Sequence, residues 1–370
     1  MKKRERMGAI KKAVLTGMFA FLTTAMLLES ETALELSASA LNLWFQKMIP
    51  ALLPFMILSG ILIRMNLSDR FAKLFAPLLR PVFRLSDSCL YVIVIGFLCG
   101  FPMGARVTAE SYERGKLDRR EAALLLAFCN NIGPIYFTGF VLTLFPVSNP
   151  WPYLAGMYLL PLLYGLVLRY MAFRDISVQR GEAQGKISSA ILSEGSFSRK
   201  QVPLKQNKKK KEGRTLHAAQ AADGPEGRTD TWQKEAACGK PGKAPSLLEQ
   251  MQEAITSSLT AIASLGGYMI LFNLMNLFPI LLLPGSFRLL RALCGCLLEI
   301  TSGLAQLPAS QAFWAFVLLP FGGFSCIAQT YSMLRETDLP LGAYVCHKCA
   351  QTGLAFLYYA GIHYAGIRIL

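Results

Sequence analysis

The stretch LCGFPMGARVTAESYERGKL, residues 98–117, decides the fold of this chain. It begins as an apolar segment of membrane type and ends as a charged loop, and Gly100, Pro102 and Gly104 stand at the junction. Glycine and proline are the poorest helix formers, so an apolar helix that reaches them tends to stop. The stretch therefore predicts a helix that ends inside the apolar layer and leaves backbone groups open there.

The composition indicates a membrane protein. The chain has 370 residues, of which 53% are hydrophobic, and a net charge of +15. Several windows contain 18 or more residues with few charges, about the length that crosses a bilayer. The basic residues flank these windows, which favours inner-face loops over nucleic-acid binding. The sequence has no Walker A, Rossmann, HExxH or GxSxG pattern, so we expect neither an enzyme nor a cofactor.

The apolar windows predict a multi-pass arrangement. Spans are expected at about 13–28, 43–63, 122–145, 151–173, 255–278 and 343–367, with further apolar segments at 89–103, 287–307 and 313–328. The N-terminus resembles a signal peptide, but its apolar run is long, and we favour an uncleaved first span. Residues 64–84 alternate basic and apolar side chains, which is typical of an amphipathic segment on the inner surface.

Composition divides the chain into three parts. Residues 175–246 are polar and basic with little periodicity, which predicts a disordered cytosolic linker. It separates a first membrane half, 1–174, from a second, 247–370. Its basic run could bind anionic lipid, although a solvated tether is the simpler interpretation. We expect the N-terminus, the linker and the C-terminus to be cytoplasmic.

The two halves show an internal repeat. GFPMGAR at Gly100 matches GGFSCIAQ at Gly322, and CNNIGP at Cys129 matches CAQTGL at Cys349. Because 64–84 and the linker are both basic, segment 89–105 must start and end on the inner face, as a re-entrant hairpin does. The second half would carry its hairpin, with tip GGFSCIAQ and loop 331–342, on the outer face. The predicted fold is an all-α polytopic membrane protein with an inverted repeat and two re-entrant hairpins, a plan that recurs in secondary transporters.

Broken helices expose N–H groups that favour anions, and this selects the candidate residues. The predicted solute-binding residues are Gly100, Pro102, Gly104, Arg106, Asn130, Asn131, Gly323, Ser325, Gln329, Thr330 and Gln351. The alternatives are close helix packing for the glycines and interhelical hydrogen bonds for the amides. Glu299, an acid within an apolar segment, is a candidate for proton or cation coupling. The motif CHKC at Cys346–Cys349 lacks a second ligand pair, so we expect packing cysteines and no metal.

Four motifs carry a resemblance to a known family. GFPMGARVTAESYERGKL, FCNNIGPIYFTG, LLEITSGL and FGGFSCIAQTYSM resemble the motifs of YlbJ-type sporulation integral membrane proteins, of the nucleoside-recognition (Gate) group. That group is similar in plan to concentrative nucleoside transporters. The resemblance implies an endospore-forming bacterium and movement of dipicolinic acid from the mother cell across the outer forespore membrane. It assigns the site to residues 100–106, Asn130, Asn131, Glu299 and residues 323–329.

Three functions are compatible with these features. The first is a secondary transporter for a small anionic solute, which the resemblance identifies as dipicolinate. The second is a nucleoside or nucleobase permease of the same architecture, and the third a non-transporting scaffold of the sporulation membrane. The expected partners are the solute, a possible coupling proton or cation, membrane lipids and a possible second copy of the chain, with no nucleic acid.

Overall fold

The computed structural model describes residues 2–176 and 246–364. The predicted linker at 175–246 falls almost entirely outside the described residues, as do residues 365–370. The described part of the chain consists of helices joined by turns and loops, without a strand, which confirms the all-α class. The helices are α1 (Lys2–Leu28), α2 (Ser30–Leu43), α3 (Ile49–Arg64), α4 (Ser68–Phe83), α5 (Asp87–Cys99), α6 (Met103–Glu113), α7 (Arg119–Phe128), α8 (Pro134–Leu144), α9 (Trp151–Met171), α10 (Leu247–Leu274), α11 (Leu277–Leu282), α12 (Arg288–Leu298), α13 (Ile300–Gln306), α14 (Ala312–Leu318), α15 (Gly323–Leu334) and α16 (Leu341–Tyr364).

Four helical segments of the described chain are long and apolar enough to cross a membrane. They are Ser30–Arg64, Trp151–Met171, Leu247–Leu282 and Ala309–Leu334. In the first three, only 28–33% of the most apolar window is buried, as expected where lipid replaces water, whereas 61% is buried in Ala309–Leu334. These segments contain the expected spans at 43–63, 151–173 and 255–278. Helices α4 and α5 meet at 101°, so the basic amphipathic segment turns sharply into the first apolar arm.

Helices α5 and α6 form the first hairpin. A Cβ atom on Gly96 or on Gly104 would lie 2.2 Å from the same atom, the carbonyl oxygen of Cys129. One arm therefore holds Gly96 and the other Gly104, side by side against the same backbone. The chain reverses at Gly100, whose φ of 82° is in the region that glycine adopts readily. The predicted reversal in the opening stretch is confirmed.

Helices α12 and α13 form the second hairpin, which reverses at the single residue Glu299. The arms touch closely, since a Cβ on Gly303 would lie 2.2 Å from the backbone nitrogen of Cys296. Sequence comparison placed the second tip at GGFSCIAQ, and that placement is wrong. Those residues follow a local break at 319–322 inside the candidate span Ala309–Leu334. Gly322 and Gly323 have φ of 74° and 80°, and the two glycines interrupt the helix without reversing the chain.

The expected span at 122–145 is also interrupted. Helix α7 ends at Phe128, and α8 begins at Pro134 after a non-helical segment that holds Cys129 and Asn130. The proline at the first position of α8 suits a helix start, because its missing N–H would have no helical partner there. Each half of the chain therefore has the same order: a long helix, a hairpin, a broken helix and a closing helix. That the halves are inverted copies stays a prediction.

The loops after α6 and α15 lie on the same face of the protein. Tyr112 donates from its hydroxyl to Asp338 at 2.8 Å, and Arg119 donates from Nε to the same carboxylate at 2.8 Å. The prediction that loops 106–121 and 331–342 occupy opposite faces is therefore wrong. The shift of the second hairpin to α12–α13 explains the difference, because it leaves 309–334 free to cross. The cytoplasmic C-terminus was expected because loop 331–342 was placed on the outer face, so that expectation loses its basis.

Candidate functional site

The two hairpin tips, the first helix break and the helix that follows the second break line one cavity. The centre of a water molecule can occupy about 50 Å³ of it, and the empty volume rises to about 610 Å³ when the open space at its mouth is included. Phe101 lines it from the first tip, Gly133 from the first break, Glu299 from the second tip and Cys326 from the helix after the second break. Segments far apart in sequence thus converge on this cavity, and three of the four are places where the backbone leaves helical geometry.

The cavity is mainly apolar and has a few polar groups. Long helices α3 and α10 contribute aliphatic side chains, while Tyr136, Glu299, Thr301 and Gln329 supply the polar atoms. None of the described lining residues is Lys or Arg. An apolar cavity with a small number of convergent polar groups is the usual form of a small-molecule site.

The glycines of the opening stretch allow close backbone packing. A Cβ on Gly100 would lie 2.2 Å from the backbone nitrogen of Gly133, and one on Gly104 would lie 2.8 Å from the Cα of Asn130. Pro102 is buried beside them at the tip, and the bond that precedes it is cis. These contacts support the packing alternative for both glycines. Direct solute binding by Gly100, Pro102 and Gly104 stays a prediction.

At both tips, side-chain oxygens of the protein accept hydrogen bonds from the backbone N–H groups at the helix N-terminus. At the first tip, Ala105 donates its N–H to Oδ1 of Asn130 at 3.3 Å. At the second, the Glu299 carboxylate accepts from the N–H of Thr301 at 3.2 Å and from the N–H of Ser302 at 2.7 Å. Glu299 is buried and also lines the cavity. A solute anion would therefore compete with Glu299 for these N–H groups.

Arg106 is held away from the cavity. Its guanidinium donates to Glu110 at 2.9 Å and to the hydroxyl of Ser257 at 2.6 Å, and the side chain is buried. The guanidinium of Arg106, expected to face the first tip, instead forms an ion pair within α6 and a hydrogen bond with α10. A charge-assisted hydrogen bond of this kind is stronger than a neutral one, so the arrangement fixes α6 against α10.

Asn130 joins the two halves of the chain. Its amide donates to Thr330 at 3.0 Å and to the hydroxyl of Tyr344 at 3.0 Å. On the same helix as Thr330, Gln329 donates to Ser325 at 3.0 Å and presents its side chain to the cavity. Gly323 packs against the second tip, where a Cβ would lie 3.1 Å from the carbonyl oxygen of Cys296.

Lys348 is the residue that sequence analysis missed. It is buried, and its ammonium group donates to Asn131 at 2.9 Å and to Gln351 at 3.0 Å. A lysine inside an expected span is itself a signal of a functional residue, but the CHKC motif was interpreted only for its cysteines. The expectation of packing cysteines there is wrong, because Cys346 and Cys349 are exposed and Lys348 faces the interior.

Comparisons with known proteins agree with the resemblance seen in the motifs. Residues 45–145 match the Gate family, described as nucleoside recognition. The chain is 27% identical over 357 residues to the sporulation integral membrane protein YlbJ of Bacillus subtilis (strain 168), covering 90% of this chain and 78% of that protein. No solved structure matches. The resemblance is confirmed, and with its apolar helices the chain is an integral, multi-pass membrane protein.

Proposed function

We propose that this chain is a secondary transporter that carries a small planar anionic solute through the cavity between its hairpins. The observation that supports this most strongly is the convergence of both hairpin tips, the first helix break and α15 on one cavity. Non-helical backbone at membrane depth is costly and persists where it borders protein or a solute pathway. Two hairpins around a central site can open to one side at a time, as alternating access requires.

The solute that we propose is dipicolinic acid, moved from the mother cell toward the forespore across the outer forespore membrane. The similarity to a sporulation integral membrane protein supports this choice. The aromatic side chains Phe101 and Tyr136 on the cavity wall also support it, since they offer faces on which a pyridine ring can stack.

Glu299 is the proposed coupling residue. As a carboxylate it holds the N–H groups of Thr301 and Ser302, which are the natural anion site of the second tip. A protonated Glu299 accepts these bonds less strongly, so a carboxylate of the solute can take its place. Protonation of Glu299 would then accompany binding of the solute, a form of coupling that needs no nucleotide-binding domain.

A nucleoside or nucleobase permease is the second candidate. The described lining has one acid and no Lys or Arg, which favours a neutral solute. Glu299 and Gln329 can form paired hydrogen bonds to a base or a ribose. The matched family is described as nucleoside recognition, which points the same way.

Uptake into proteoliposomes that contain the full chain distinguishes these functions. We expect labelled dipicolinate to accumulate, with excess unlabelled dipicolinate competing and excess uridine having no effect. Gln329→Ala should lower uptake by about tenfold, because the amide faces the cavity, while Gln306→Ala, at an exposed glutamine, should match wild type. Uptake of uridine alone would favour the permease, and uptake of neither would favour the scaffold.

A further inference from the structure

Lys348 is a buried lysine whose hydrogen-bond partners are all neutral. The side chain is 0% exposed, and none of the ion pairs among the described residues includes it. Burying an ammonium group without a carboxylate is expensive, and such a group inside a membrane protein is usually functional.

The surroundings of Lys348 are arranged to hold a charged ammonium. Two of its protons have acceptors in Asn131 and Gln351, and the ring of Phe101 lies 4.7 Å from Nζ. Three donors thus face two amide oxygens and one aromatic face, which is a favourable set for a cation.

The two amides cannot easily turn away. The side-chain amide of Asn131 donates from Nδ2 to the carbonyl of Phe128, and that of Gln351 donates from Nε2 to the carbonyl of Ala127 at 2.8 Å. These carbonyls belong to the C-terminal turn of α7, the negative end of the helix dipole. Both amide oxygens are therefore fixed toward Lys348, and the helix end adds to the stabilisation of its charge.

The ring of Phe101 connects Lys348 with the cavity. Phe101 lines the cavity, and its ring also packs at Gly322, where a Cβ would lie 3.1 Å from Cζ. A solute stacked on this ring would contact the same aromatic side chain that the ammonium group of Lys348 contacts. An ammonium group at Lys348 would therefore be separated from the cavity by the ring of Phe101.

We propose that Lys348 determines the charge of the solute, because its ammonium form balances a carboxylate-bearing aromatic ring in the cavity and gains nothing from a neutral one. Arg106, which sequence analysis favoured, is already neutralised by Glu110. Lys348 has no such partner among the described residues, so its charge is available to balance a bound anion. This inference rests on the proposed function, because it concerns selectivity at the same cavity.

Binding to the full chain in lipid nanodiscs tests the inference. The two probes are pyridine-2,6-dicarboxylate and its neutral diamide, which have nearly the same shape, and the measured quantity is the ratio of their Kd values. We expect wild type to prefer the dianion by at least tenfold. Lys348→Met and Lys348→Gln should lose this preference while still binding the diamide, and Lys348→Arg should keep much of it.

The outcomes separate the two proposals. Wild type that binds neither probe contradicts the proposed function and the inference with it. Wild type that prefers the dianion, together with a Lys348→Met variant that keeps the same ratio, overturns the inference alone. If both neutral variants fail to fold, the ratio of Kd values of the wild type tests the inference. A wild type that prefers the diamide would contradict selection of the dianion by Lys348. Arg106→Met, if it folds, should retain the wild-type ratio, and loss of preference there would return the role to Arg106.

Discussion

Replacement of Gly104 by alanine tests the packing of the first hairpin against the first helix break. The added Cβ would lie 2.2 Å from the carbonyl oxygen of Cys129 and 2.8 Å from the Cα of Asn130, whereas ordinary contacts begin at 3.4 Å. All of the atoms it meets belong to backbone, so no side-chain rotation can relieve the overlap. The arm of α6 must therefore move outward by about 1 Å.

The expected cost combines two terms. Overpacking a well-filled interior costs about 1–3 kcal/mol, and the rigid backbone here favours the upper end. Outward movement also stretches the hydrogen bond from Ala105 to Asn130, which is worth about 1 kcal/mol. We expect Gly104→Ala to lose about 3–4 kcal/mol of stability, because these two costs add at neighbouring atoms.

Thermal unfolding of the purified protein in detergent measures this loss. At about 2–4 °C per kcal/mol, Tm should fall by roughly 10 °C. Gly353→Ala is the matched control, since a Cβ there meets no atom within 4 Å. In a helix interior that substitution should be neutral or stabilising by up to about 1 kcal/mol. A Gly104→Ala protein with the Tm of the control would refute the close packing of the hairpin.

Three further predictions concern the site and the contact between the halves. Glu299→Gln should abolish the dependence of uptake on a proton gradient, as measured in proteoliposomes. It should also lower the free energy of unfolding by about 1–2 kcal/mol, as measured by denaturation, because a neutral side chain accepts hydrogen bonds from the N–H groups more weakly. Asn130→Ala should cost about 2–3 kcal/mol in the same denaturation assay, since it leaves buried donors and acceptors unpaired, and a loss below 1 kcal/mol would argue against the network. The hydrogen bond from Tyr112, with the nearby Arg119, lowers the pKa of Asp338 below its ordinary value of 3.8, so the carboxylate is ionised at neutral pH. The coupling of Arg119 to Asp338 in a double-mutant cycle should thus be equal at pH 6 and pH 8 and disappear only as pH falls below 3.8; a change between pH 6 and pH 8 would contradict this.

The class of fold and the first hairpin could be predicted from sequence because their signals are local. Apolar run length predicts the long helices, and the glycines and proline at 100–104 mark the reversal. The second hairpin was misplaced because Gly322 and Gly323 give the same local signal as a tip. Glycine shows where a helix stops, but neighbouring contacts decide whether the chain then reverses or continues. Glu299, the true tip, has no glycine or proline beside it.

The candidate site was predicted in part. Glu299, predicted as an acid within an apolar segment, and Gln329 both line the cavity, while their roles in coupling and binding stay predictions. Arg106 does not line the cavity, because its guanidinium pairs with Glu110, four residues later, and donates to Ser257. The contact with Ser257 joins distant parts of the sequence, and no local pattern indicates it. Lys348 was overlooked for the same reason: its importance depends on Asn131 and Phe101, more than 200 residues away, and only the packed structure brings them together.

The most direct test of the central claim is a structure of the full chain in lipid nanodiscs with pyridine-2,6-dicarboxylate, determined by electron cryomicroscopy. We predict density for one planar molecule in the cavity between the hairpin tips, stacked on Phe101 and within hydrogen-bond reach of Gln329 or the N–H groups of α13. Density for the solute elsewhere, such as beside Arg106, or an empty cavity at saturating solute, would contradict the account.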